Sequence, residues 1–241
     1  MAATRLLISG KANTGKTYLL KNLPADDSFV VAIDEKDFPF PIPHTNIYGF
    51  DDMESFFNGQ VVQNSDGTTT VYEGVYDKLE KFQTKYGKLP SILVIDSVSR
   101  VFLTAYDNLN EKFANDNFKL FAALDREIKV LRKHLIEFQN NGINTVIISH
   151  ALYDEKTGVY SMVDKGSFGK AGGFLGTVDH AVFVEVKGNK RTIHHRNPSF
   201  ASRTTLSEDV LPDKMPVDEY DLAGHIELIN STQTEVADYT L

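Results

Sequence analysis

Hydrophobic positions along this chain fall into two alternating kinds of segment. Short segments built around three to five consecutive apolar residues occur at 4–9, 29–33, 91–96 and 145–149. Such runs belong to strands buried on both faces of a parallel sheet. Between them lie longer stretches with apolar residues every three or four positions. Val75, Leu79, Phe82 and Tyr86 mark a helix over 73–86 that Gly87 and Pro90 terminate. Leu120, Leu124, Ile128, Leu131, Leu135 and Phe138 mark the longest helix, 118–141, closed by Asn140-Asn141-Gly142. Asp51-Asp52-Met53-Glu54 has the form of a capped helix start, and residues 47–50 of a short strand. Residues 60–72 alternate around Ser65-Asp66-Gly67, and residues 180–187 and 190–195 flank Gly188-Asn189; both are hairpin signals. The segment 38–43, with every second residue proline, predicts an extended loop. Together these elements predict an α/β fold with a mostly parallel central sheet, helices on both faces and a C-terminal β-hairpin.

Composition adds limits. No apolar run approaches the roughly 18 residues of a membrane span, and the N-terminus lacks a signal-peptide pattern, so a cytoplasmic protein with no membrane partner is expected. Zero cysteines exclude disulfides and thiolate metal sites. The net charge of −8 argues against a surface attracted everywhere to nucleic acid. Charge is unevenly spread, however. Lys187, Lys190, Arg191, Arg196 and Arg203 follow one another without an intervening acid, whereas beyond Ser207 acids dominate and Lys214 is the only Lys or Arg. The expected organisation is one domain over 1–205 and an acidic, partner-binding tail over 206–241.

The candidate chemistry begins after the first strand. Gly10-Lys11-Ala12-Asn13-Thr14-Gly15-Lys16-Thr17 reads G-x-x-x-x-G-K-[ST], a phosphate-binding P-loop. Glycines let the backbone turn its N–H groups toward phosphate oxygens, and a helix opening near Gly15 is expected to add its positive end. The expected contacts with ATP are Gly10, Ala12, Asn13, Thr14, Gly15, Lys16, Thr17 and Tyr18. Lys16 would charge-pair with the β- and γ-phosphates, and the Thr17 hydroxyl would face Mg²⁺. Ile92-Leu93-Val94-Ile95-Asp96 delivers one carboxylate to the end of a buried strand, as a Walker B strand does, making Asp96 the second expected metal residue.

Ser97 follows Asp96, so a base that polarises water must come from elsewhere. Strand two ends in Asp34-Glu35-Lys36-Asp37; Glu35 is the candidate, with Asp37 and Asp34 as rivals. His150 ends the 145–149 strand within expected reach of the γ-phosphate. Lys187, Lys190 and Arg191 near the hairpin tip are placed to enter a neighbouring subunit's site as a basic finger. Arg196 and Arg203 read as surface or nucleic-acid contacts. The glycine-rich run 154–177 carries Lys156, Lys165, Lys170, Tyr160 and Phe168, a composition suited to single-stranded nucleic acid or to a lid.

Taken together, the P-loop, the Asp96-Ser97 ending, the carboxylates after strand two, the polar residue after the 145–149 strand and the basic hairpin resemble the RecA-type ATPase core. Residues 33–37 are similar to the strand that supplies that family's catalytic Glu, at a spacing one residue different, and His150 stands where its recombinases usually have Gln. The compact layout looks most like the short phage-encoded RecA-like ATPases of the Sak4 type. That resemblance implies Mg-dependent ATP hydrolysis, single-stranded DNA, head-to-tail rings or filaments, and recombination beside a single-strand-binding protein. A P-loop kinase of a nucleotide or small molecule, and a nucleotide switch without DNA, are the competing readings.

Overall fold

A computed structural model describes residues 3–33, 35, 37–114, 116–154, 159–162 and 173–237. Strand β1 (Arg5–Gly10) leads into the loop and a short 3-10 helix, Thr17–Asn22. Then come β2 (Ser28–Ala32), β3 (His44–Asn46), α1 (Met53–Asn58), the hairpin β4 (Gln60–Gln63) and β5 (Thr69–Tyr72), and α2 (Val75–Tyr86). Strand β6 (Ile92–Asp96) is followed by α3 (Val98–Lys112), α4 (Asn117–Asn140), β7 (Asn144–Asp154) and β8 (Val159–Met162). After a second 3-10 turn, Gly173–Thr177, come β9 (His180–Lys187), β10 (Lys190–His194), β11 (Lys214–Pro216) and α5 (Leu222–Ala237).

The main sheet runs β11-β10-β9-β1-β7-β6-β2-β3, with β8 pairing antiparallel on β7. From β9 through β3 every pairing is parallel; only the pairings of β10 with β9 and β11, and of β8 with β7, are antiparallel. The fold is therefore mixed α/β with a mostly parallel central sheet, as the apolar runs predict. Among the described residues no helix is long and apolar enough to cross a membrane.

Strand alternation divides the core in two. Leu7, Val31, Leu93, Ile95 and Ile147 face helices α1 to α4, meeting Met53, Phe57, Leu79, Val101, Leu124 and Leu131. Leu6, Ile8, Val30, Val94, Val146 and Val182 face the other way, onto Leu19 and Leu20 of the first 3-10 helix and Leu222 and Ile226 of α5. Local signals set the helix ends. Asp52 caps α1 by accepting from Ser55 N at 2.8 Å, and Asp116 caps α4 by accepting from Lys119 N at 3.1 Å.

Three expectations are corrected and one element is added. The helix after the loop is six residues of 3-10 helix, because Pro24 stands just past it and cannot be accommodated in a continuing helix. Its contribution to anion binding as a helix dipole is correspondingly reduced. The short strand expected at 47–50 lies earlier, at His44–Asn46; Ile47 N still bonds Ala32 O at 3.1 Å before the chain turns away. Helix α3 was not foreseen. The acidic segment after 205 is no separate tail: β11 pairs with β10, and α5 covers one face of the sheet. Val217, Tyr220, Leu222 and Ile226 enter the same core as Leu6 and Ile8, so the boundary at 205 divides a single packed unit.

Candidate nucleotide-phosphate site

The site lies where β1 ends between two parallel neighbours. Gly10 is in register with His150 of β7 on one side and with Val184 of β9 on the other. Gly10 has φ 157°, and a Cβ there would sit 2.7 Å from the Val184 carbonyl oxygen, so the close approach demands glycine. Asn13 (φ 61°) and Gly15 (φ 91°) are left-handed, which curls the chain into a loop. Thr14 Oγ1 donates to Lys11 O at 3.0 Å and braces that curl.

Lys16 is 6% exposed. Its Nζ donates to the carbonyls of Gly10 (2.9 Å) and Lys11 (2.6 Å), which hold the ammonium at the mouth of the loop. His150 Nδ1 is 3.5 Å from the same Nζ. The next residue, Thr17, donates from Oγ1 to Asp96 Oδ2 at 2.7 Å. Asp96 is 1% exposed at the end of β6. Strand β7 lies between β1 and β6, so His150 stands between the Lys16 and Asp96 edges of the site. Its backbone N–H is fixed by Ser99 Oγ at 3.2 Å, at the start of α3.

These residues line a cleft of about 470 Å³ formed by Asn13, Gly15, Lys16, Thr17, Tyr18, Pro39, Asp96 and His150. Such a volume accepts a nucleotide-sized ligand. Pro39 was missed as a site residue. The alternating prolines around it signalled a stiff extended segment, which here supplies a wall. A hydroxyl and a carboxylate oxygen meeting at 2.7 Å beside the loop suit Mg²⁺, which retains waters and takes phosphate oxygens rather than an all-protein cage. Among the described residues no group of three or more His, Asp or Glu could hold a metal ion.

The other candidates are placed less centrally. Glu35 is exposed, with φ 48°, on the chain leaving β2; Ala32, three residues earlier, is in register with Asp96. Neither Glu35 nor Asp37 is among the residues lining the cleft. Its rival Asp34 lies outside the described residues, as do Lys156, Lys165, Phe168 and Lys170 of the glycine-rich run.

The basic hairpin is divided between two places. Lys187 Nζ pairs with Glu185 at 2.9 Å, and Glu185 also contacts His194 Nε2 at 3.0 Å. Together Lys187 and Glu185 border a second cleft of about 260 Å³, between residues Lys11 to Thr14 of the loop and β9. The Glu185 carboxyl is held below its ordinary range by its bonds to Lys187 and His194, which outweigh its burial. Arg191 instead lies beside Gly15, where a Cβ would be 3.3 Å from its Nη1 and 3.8 Å from its Cζ. Arg196 is used inside the fold, donating to Leu211 O at 2.8 Å and to Asp213 at 2.7 Å.

No protein-family model matches this sequence, and no curated protein matches it significantly. Among solved structures the chain is similar to the KaiC-like protein PH0186 of the hyperthermophilic archaeon Pyrococcus horikoshii OT3. The two are 14% identical, with a TM-score of 0.44, over 89% of this chain and 85% of that one.

Proposed function

We propose that this protein binds Mg·ATP between the β1 loop and the end of β6 and hydrolyses it, as a RecA-like ATPase working on single-stranded DNA. The observation that carries nucleotide binding is the convergence of Lys16 Nζ, held by two loop carbonyls, with the Thr17–Asp96 hydrogen bond at one cleft. Lys16 would exchange those carbonyls for β- and γ-phosphate oxygens. Thr17 and Asp96 would hold Mg²⁺, which when bound neutralises charge developing on the phosphates. Glu35, on the chain that leaves β2 beside the Asp96 end of β6, is the proposed carboxylate for polarising water. His150 is the proposed sensor, since Nδ1 stands 3.5 Å from the ammonium that would meet the γ-phosphate.

Support for the DNA-coupled reading comes from the resemblance to the RecA-type core. Assembly into a ring or filament, and action beside a single-strand-binding protein, belong to the same proposal. The test is steady-state ATP hydrolysis with and without single-stranded DNA at two salt concentrations, with oligomer size followed in the same samples. Stimulation that weakens with salt supports the proposal. Hydrolysis indifferent to DNA overturns its DNA half, and a phosphorylated small-molecule product moves the assignment to a kinase.

A further inference from the structure

We propose that Arg191 grips the phosphates held by its own chain's loop, rather than those of a neighbouring subunit. This inference rests on the nucleotide-binding reading above and adds a residue and a direction to it. The β9–β10 ladder sets Arg191 opposite Val186 and Ile193 opposite Val184, and Val184 stands beside Gly10 in β1. Arg191 therefore lies two residues beyond the level of Gly10, past the end of β1 from which the loop rises.

Strand alternation then fixes its face. Arg191 and Ile193 share one side of β10. Ile193 packs in the core that contains Leu19 and Leu20 of the 3-10 helix following the loop. Arg191 is thus directed to the side on which Gly15, Lys16 and Thr17 sit, and its guanidinium reaches Gly15, with Nη1 only 3.3 Å from the Cβ position of that residue.

Electrostatics names the ligand. A guanidinium held against a loop whose backbone N–H groups and Lys16 are already positive adds cation to cation, and an anion between them relieves the repulsion. The planar fork of Arg pairs with phosphate oxygens in two-point fashion. Lys187, another basic candidate of the hairpin, is bound to Glu185 instead. Strand β10 is also covered on its outer side, where Thr192 to His194 pair with β11, so Arg191 is carried by a strand fixed on both edges.

The experiment measures ATP and ADP binding by calorimetry, and ATP hydrolysis, for the wild type, Arg191→Ala, Arg191→Lys and Lys16→Ala. Mixtures of Arg191→Ala with Lys16→Ala are assayed alongside. Expected are an ATP affinity about tenfold weaker in Arg191→Ala, the size of one charge-assisted contact, with partial recovery in Arg191→Lys. The mixture should hydrolyse no faster than its components measured separately. If mixing restores activity, an intact Arg191 on one chain is serving the intact loop of another, and the inference is overturned. Equal ATP affinity and hydrolysis in wild type and Arg191→Ala also overturn it, leaving the nucleotide site standing. A wild type that binds no nucleotide removes the underlying reading as well.

Discussion

Thr17 Oγ1 donates a 2.7 Å hydrogen bond to Asp96 Oδ2 although β1, whose loop leads to Thr17, and β6, which ends at Asp96, are separated by β7. The bond spans the site from the end of the loop to the end of the sheet. Asp96→Asn keeps an oxygen for Thr17 but removes the charge that a magnesium ion needs. Turnover is expected to fall roughly 10²-fold, the scale of losing one charge-stabilising group, with the Mg²⁺ requirement shifted to higher concentration. A Mg²⁺ titration of hydrolysis checks this; identical curves for variant and wild type would remove Asp96 from the metal.

Lys16→Ala should eliminate detectable nucleotide binding while leaving the fold intact, because the ammonium contacts it removes are with two carbonyls of the loop itself. Calorimetry with ATP and a urea melt together make the check. A large loss of stability would mean that Lys16 is structural first.

Gly10→Ala is expected to injure fold and site at once. The new Cβ would be 2.7 Å from Val184 O and 3.0 Å from Thr14 Oγ1. Strain at such positions costs on the order of 1–3 kcal/mol, readable as a lower urea midpoint at unchanged slope. An unchanged midpoint would show that the β1–β9 contact can open without cost.

Ending the chain after residue 205 should produce an uncooperative, aggregating protein. It strips α5 from Leu6, Ile8 and Val182, leaving one face of the sheet open to water. A sharp thermal transition in the shortened chain would be the contrary result.

Acid should weaken the fold well above the range where carboxylates titrate. His180, His195 and His225 are buried together, with His195 and His225 ring centroids 5.3 Å apart and Tyr220 Oη 2.8 Å from His225 Nδ1. Burial pushes His180 down to about 4 and His225 to about 3, and lowers His195; burial also lowers His134, on α4. These groups stay neutral in the folded chain while the unfolded chain binds protons below about pH 6.5. Their stabilising contribution is thus complete above pH 6.5 and falls as pH drops toward the folded values. Each contributes a slope of at most about 1.4 kcal/mol per pH unit. Urea midpoints at pH 7, 6 and 5 test this, and His225→Gln should flatten the dependence. A flat profile in the wild type would refute it.

How much of this was legible in the sequence depended on how local the signal was. The loop and the Asp96 strand are contiguous motifs, and β1, β2, β6 and β7 are apolar on both faces, so their sequences announce them. Helix α5 was hidden because its apolar spacing, Leu222, Ile226 and Ile229, sits among acids that read as a solvated tail. Helix α3 carries the same kind of stripe in Val98, Val101, Phe102 and Ala105, which spacing alone would have found. Nothing local tells that Arg191 lies over Gly15. That proximity comes from β9 pairing with β1 and β10 with β9, a matter of sheet order rather than of any motif.

The placement of β1 between β7 and β9 also has a bearing on when the loop can move. Both edges of Leu6 to Gly10 are held by neighbouring strands, so their amides should be among the slowest to exchange with deuterated solvent, opening only when the whole sheet does. The loop is therefore mounted on a strand expected to be among the most slowly breathing parts of the molecule. Nucleotide would meet a shape already formed, and little of the binding free energy would go into ordering the chain.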